Sequence, residues 1–121
     1  MSLKNADTNS RSTNIYITEI SQTGTNWYKK YSNGFIEQGG LIASGVYGAT
    51  INFLIKMKDT DYMLMTSKYW PTDDDSSHVN NTYDRTTTGF KILGRGQGNK
   101  GWGANAYGHW MVYGRYHDFP L

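Results

Sequence analysis

A chain of 121 residues is long enough for one domain with a real core and too short for two. It has no cysteine, which excludes a disulfide framework and a thiolate metal site, and its formal charge of +2 is too small and too scattered for a nucleic-acid partner. No apolar run reaches the length that crosses a bilayer and no signal-type stretch opens the chain, so membrane insertion is not expected.

Fourteen glycines, ten tyrosines and four tryptophans against two prolines favour short strands and tight turns over helices. The aliphatic content is low for this length, so a lone core is marginal and oligomerisation is the usual remedy. In chain order, residues 1–14 are polar and aperiodic and read as a tail or the end of a linker, leaving 15–121 as one domain. Residues 15–21 alternate Ile15, Ile17, Glu19 against Tyr16, Thr18, Ile20, a strand, and 22–25 is a turn. The run N-W-Y-K-K-Y-S-N-G-F-I-E-Q-G-G over 26–40 predicts a hairpin about Asn33-Gly34, since a type I′ turn needs φ > 0 at both central positions.

With a two-residue loop, Tyr31 lies opposite Ile36, Lys30 opposite Glu37, Tyr28 opposite Gly39 and Trp27 opposite Gly40. Trp27, Tyr31 and Ile36 then share the core face, Lys30 pairs with Glu37, and Trp27 covers the bare backbone of Gly40. Lys29 and Gln38 fall on that same face, a misfit that leaves it either partly wet or wrongly registered. Residues 41–43 extend the second strand up to a break at 45–48.

Residues 51–58 alternate most cleanly, with Ile51, Phe53, Ile55 and Met57 on one side. They are expected to pair antiparallel with a strand over 62–70, in which Met63 and Met65 share one face and Tyr62, Leu64 and Thr66 the other. Two apolar faces imply a second sheet or a neighbouring subunit. A polar, acidic loop over 71–85, a strand over 86–93, a glycine-rich loop over 94–108 and a last strand over 109–116 complete the reading. The expected fold is all-β, a compact antiparallel β-sandwich of six or seven strands.

The segment W-Y-K-K-Y-S-N-G-F-I-E-Q-G-G resembles the signature of a C-terminal domain of bacteriophage tail fibres, whose members typically read W-Y-R-K-Y-S-D-G-W-I-E-Q-G-G after a Tyr-x-x-Glu strand, here Tyr16 to Glu19. Lys58-Asp59-Thr60-Asp61-Tyr62, Thr88-Gly89-Phe90 and the stretch from Trp110 to Tyr116 continue the likeness over nearly all of the chain after Ile15. Asn33 and Phe35 replace the commoner Asp and Trp, and only the first motif is specific. The resemblance implies a homotrimeric knob at the tip of a virion tail fibre, joined to the rest of the fibre. It implies non-enzymatic attachment to a bacterial surface glycan or outer-membrane receptor. A phage-tail-like bacteriocin uses the same part; a glycan depolymerase and a structural trimer cap are the other readings.

Residues 96–101 match G-x-G-x-x-G, but that motif works only where a strand opens into a helix, and Trp102-Gly-Ala-Asn-Ala-Tyr-Gly forms none. Asp73, Asp75, Ser77, Asn81 and Asp84 follow a calcium-loop spacing, yet His78 stands where glycine is required. His78, His109 and His117 form no linear metal motif, so neither a metal nor a cofactor is expected. Glu19 and Glu37 are the only glutamates, and no catalytic arrangement follows from the spacing.

Receptor contact is expected instead from the 94–108 loop, assisted by the 71–85 loop. Trp102 and Tyr107 offer faces for stacking on a sugar, with Asn99, Lys100 and Asn105 as hydrogen-bonding partners and Asp74 and His78 as secondary contacts. The alternative is that Trp102 and Tyr107 fold back to plug the end of the sheet.

Overall fold

Strand pairing fixes which residues turn inward, and one turn decides it for half of the molecule. The computed structural model describes residues 14–46, 49–68, 77–97 and 106–120. These hold eight strands, β1 (Ile17–Thr23), β2 (Asn26–Tyr31), β3 (Phe35–Val46), β4 (Ala49–Asn52), β5 (Met63–Ser67), β6 (Ser77–Tyr83), β7 (Gly89–Gln97) and β8 (Ala106–Arg115). They form a five-stranded sheet of order β1-β2-β3-β8-β5 and a three-stranded sheet of order β4-β7-β6, with every pairing antiparallel.

The β1–β2 hairpin closes over Gly24 and Thr25, with Gly24 at φ +62. Positive φ at the first central residue alone is the II′ pattern that suits strand twist. The β2–β3 turn corrects the expected register. Asn33 keeps a negative φ and only Gly34 is positive, at +91, so the loop takes the three residues Ser32, Asn33 and Gly34 rather than two. The Gly34 N–H donates to the Tyr31 carbonyl at 3.1 Å, and the Asn33 Oδ1 accepts from the Phe35 N–H at 3.2 Å.

Every pair across this hairpin therefore slips by one: Lys30 faces Ile36, Lys29 faces Glu37, Tyr28 faces Gln38 and Trp27 faces Gly39. A one-residue slip turns a strand's whole set of side chains over. Tyr28 enters the core beside Ile36 and Gln38, while Trp27 and Tyr31 pass to the outer face. Trp27 does cover a glycine, but it is Gly39, where an added Cβ would lie 2.8 Å from the indole. Lys30 pairs not with Glu37 but with Glu19, at 3.4 Å.

The core between the sheets is aromatic at its centre. Phe53 stacks on Trp110 at 5.6 Å and meets the edge of Tyr62 at 5.3 Å, and Phe90 meets Trp110 edge-on at 5.9 Å. Ile36, Ile42, Met57, Ile92 and Val112 fill the space around them. Gln38 is buried among these apolar residues, fully enclosed.

Three expected elements take other forms. The 51–58 strand ends at Asn52, and its continuation crosses between the sheets, so Phe53, Ile55 and Met57 reach the core from a connection. That crossing is pinned by the Phe53 N–H on the Thr88 carbonyl and the Met57 N–H on the Thr87 carbonyl, at 2.9 and 2.8 Å. Its expected partner, β5, pairs with β8, and β4 pairs with β7. The 71–85 loop contains β6, a polar edge strand without the apolar alternation that would reveal it. Strands β7 and β8 reach into the expected 94–108 loop, to Gln97 and from Ala106.

Candidate functional site

Because β2 is turned over, the outer face of the five-stranded sheet gathers apolar side chains from all of its strands. Ile17 and Ile20 come from β1, Trp27 and Tyr31 from β2, Phe35 and Leu41 from β3, Met111 and Tyr113 from β8, and Met63 and Met65 from β5. Tyr113 lies opposite both Glu37 and Met63, and Met111 opposite both Gly39 and Met65, which makes the face continuous. Ile20 is 63% exposed, Met63 58% and Met65 45%, values that a core-facing residue would not show.

Fixed contacts shape this face. Phe35 stacks on Tyr113 at 5.0 Å, and the Arg115 guanidinium lies 4.6 Å over the Phe35 ring. The Tyr31 hydroxyl donates to Glu37 Oε1 at 2.7 Å, and that hydrogen bond to a carboxylate pushes the Tyr31 phenol above its ordinary value. A groove of about 470 Å³ runs between Ile15, Tyr31, Glu37, Met65, Met111 and Tyr113. Its walls are apolar and its polar end is the Tyr31–Glu37 pair.

The inner side of the β1–β2 edge carries the opposite chemistry. The Tyr28 hydroxyl donates to Glu19 Oε2, and Lys30 Nζ stands 4.8 Å over the Tyr116 ring and 5.8 Å over that of Tyr28. The Tyr28 hydrogen bond, with help from Lys30, holds the Glu19 carboxyl below its ordinary value, and the same bond raises the Tyr28 phenol.

Of the residues singled out from the sequence, Asp74, Asn99, Lys100, Trp102 and Asn105 lie outside the described residues. His78 falls on β6 opposite Gly96, and Tyr107 falls on β8, so the two stand on different sheets; their side chains also lie outside the described residues. Strand β6 occupies most of the calcium-like spacing in extended form, and the Asp84 carboxylate sits 3.6 Å from Lys91 Nζ. Among the described residues no group of three or more His, Asp or Glu is placed to hold a metal ion, and no helix is long and apolar enough to cross a membrane. The outer apolar face was signalled by Met63 and Met65, which alternate with Tyr62 and Leu64; what hid its extent was the register of β2.

No protein-family model matches the chain, and no curated protein does. Two solved structures share its fold. An N-truncated R2-type pyocin tail fibre superposes over 87% of this chain with a TM-score of 0.58 at 17% identity. A C-terminal portion of the P. aeruginosa R2 pyocin fibre superposes over 84% with a TM-score of 0.51 at 20% identity. The chain spans 39% and 26% of the lengths of these two proteins. It has the all-β fold of a domain found in R2 pyocin tail fibres.

Proposed function

We propose that this chain is the tip domain of a tail fibre, of a phage or of a phage-tail-like bacteriocin, and that it attaches the particle to a bacterial surface glycan without catalysing a reaction. The observation that carries this reading is the shared fold with pyocin tail fibres over most of the chain. The rest of the fibre is then a covalent or assembled partner, and the virion or particle is the place of action.

We further assign the outer face of the five-stranded sheet to contact between copies of the chain, in a homotrimer. Ten apolar residues on five strands about 4.8 Å apart make a face on the order of 500 Å², at the upper end of what a monomer leaves to water. In a closed three-fold ring each protomer turns this face toward its neighbours, which removes the exposure without leaving an open end. The receptor is then met by surfaces turned away from the three-fold axis.

Sedimentation equilibrium of the whole chain at micromolar concentration tests the assembly: a trimer is expected, and a stable monomer overturns it. Attachment to a panel of Gram-negative cells tests the function, with Trp102→Ala expected to weaken it tenfold or more, about 1.4 kcal/mol, at an unchanged melting temperature. A Trp102→Ala protein that binds cells normally but unfolds early makes Trp102 a plug of the sheet instead. Release of soluble glycan from those cells would replace attachment by depolymerisation.

A further inference from the structure

The outer face of the three-stranded sheet is polar around Thr50, Asn52 and Lys91, while exposed Val79 and Tyr83 stand further along it. The register places Thr50 opposite Lys91 on one side and Tyr83 opposite Lys91 on the other, with Asn52 opposite Gly89. Beside them lies a hollow of about 420 Å³, lined among others by Thr50, Asn52, Asp84, Arg85 and Lys91. That volume is in the range of small-molecule sites.

The frame of the hollow is held from behind. The Arg85 guanidinium donates to the Tyr62 carbonyl at 2.6 Å and to that of Thr60 at 3.3 Å, and lies 4.8 Å over the Tyr62 ring. The Tyr62 hydroxyl donates to the Thr86 carbonyl at 2.8 Å. Asp84, the residue between β6 and Arg85, has φ +50, and no other non-glycine among the described residues has a positive φ. Backbone strain of this kind persists where its surroundings impose it, and it gathers at ligand sites.

What remains free at the rim is a mixed set. The Asn52 amide and the Thr50 hydroxyl make no internal hydrogen bond among the described residues. The Asp84 carboxylate and the Lys91 ammonium balance each other's charge at 3.6 Å, their side chains 64% and 47% exposed. Arg85 is committed to the frame. A phosphate or sulfate would meet the Asp84 carboxylate, and a lone carboxylate is too few ligands for a metal ion. A carboxylate paired with the Lys91 ammonium, beside an uncharged amide and a hydroxyl, fits a polyhydroxylated ring, whose hydroxyls exchange hydrogen bonds with Asp84, Asn52 and Lys91.

We propose that this hollow on the three-stranded sheet is a saccharide subsite that takes one uncharged sugar residue of the surface glycan. The inference rests on the attachment function proposed above, and it places the contact on β4, β7 and the β6–β7 connection rather than on the 94–108 loop.

The test is a titration of the isotope-labelled whole chain, followed by backbone NMR, with glucose, galactose, mannose, rhamnose and N-acetylglucosamine, each up to about 100 mM, since single sugars bind in the millimolar range. Saturable shifts at Thr50, Asn52, Asp84 and Lys91 with at least one sugar are expected. Asp84→Asn keeps a residue that accepts positive φ, so it should fold as before and bind that sugar at least tenfold more weakly; Asn52→Ala should do the same. Absence of saturable shifts in the hollow with all five sugars overturns the subsite. So does cell attachment that Asp84→Asn and Asn52→Ala leave unchanged, a result under which the attachment function itself stands. Sugar binding in the hollow of a protein that attaches to no cell would sustain the subsite and sink the fibre function instead.

Discussion

Gln38 is the residue whose replacement says most about how the two sheets are joined. Its carboxamide is fully buried, and it bridges β3 to the crossing segment through both directions of one peptide position. The Nε2 donates to the Ile55 carbonyl at 2.7 Å, and the Oε1 accepts from the Ile55 N–H at 3.1 Å. Met57 Sδ lies 3.2 Å from the same Nε2. Gln38→Leu keeps the volume and removes both bonds, leaving the Ile55 N–H and carbonyl without partners. Each orphaned group costs about 1–3 kcal/mol where water is excluded. Ile55 is half-buried, so water recovers part of this, and the net loss should be about 2–4 kcal/mol. At roughly 4 °C per kcal/mol for a domain of this size, the melting temperature should fall by roughly 8–16 °C. Gln38→Glu adds a control of sign. It retains an acceptor for the Ile55 N–H but sets a carboxylate against the Ile55 carbonyl, so burial raises its folded pKa above the unfolded one. Its penalty should be largest at neutral pH and shrink as acid protonates it in the fold. Urea unfolding at fixed protein concentration, at neutral and mildly acid pH, reads both variants. A Gln38→Leu protein that melts with the parent refutes the bridge, as does a Gln38→Glu protein whose deficit does not shrink in acid.

Three shorter expectations concern the turn, the edge and the outer face. Gly34→Val places a β-branched residue at φ +91 with its Cβ 2.6 Å from the Phe119 ring, and should cost roughly 1–3 kcal/mol of strain before any clash; an unchanged urea midpoint would show that the loop can close another way. Glu19→Gln should matter only above acid pH. The folded carboxyl is depressed, so its contribution is complete above the ordinary value of 4.5 and is lost as pH falls through the lower folded value, and the gap between wild type and variant in urea midpoints should close below 4.5. A gap that persists in acid would mean that Glu19 acts by packing. Met65→Lys sets a charge in the middle of the large sheet's outer face and should yield folded monomer in sedimentation; a folded trimer would place the contact between copies elsewhere.

Local pattern reached as far as local chemistry did. Gly24 and Gly34 mark the two hairpins, the alternation through Ile51, Phe53 and Met57 marks core residues, and Met63 with Met65 marks a second apolar face. The register of β2 against β3 was not legible, because Asn33-Gly34 serves a two-residue and a three-residue loop equally and the choice rests on the sign of one φ. The misfit of Lys29 on an apolar face was the sign that the shorter loop fails, since the slip carries it to the outer face opposite Glu37; Gln38 stays beside Ile36 in either register and is satisfied by Ile55. Pairings between distant strands, β4 with β7 and β5 with β8, leave no local trace. Strand β6 escaped notice because an edge strand of a small sheet has no second apolar face to display. The hollow on the small sheet was hidden for a related reason: its residues come from two strands and a connection, and no linear spacing unites them.

The strand order carries a consequence for synthesis. In the large sheet β3 is hydrogen-bonded on one side to β2 and on the other to β8, so its second edge is completed by residues made 60 (Val46 to Ala106) to 80 (Phe35 to Arg115) positions later. Until β8 leaves the ribosome, the three early strands present an open edge with apolar side chains on both faces, the form most prone to pair with the wrong neighbour. Contacts of such long sequence separation also fold slowly. Nascent chains on one messenger, each waiting with the same edge uncovered, are one another's nearest hazard, so timely delivery of β8 decides how much protein survives as folded domain.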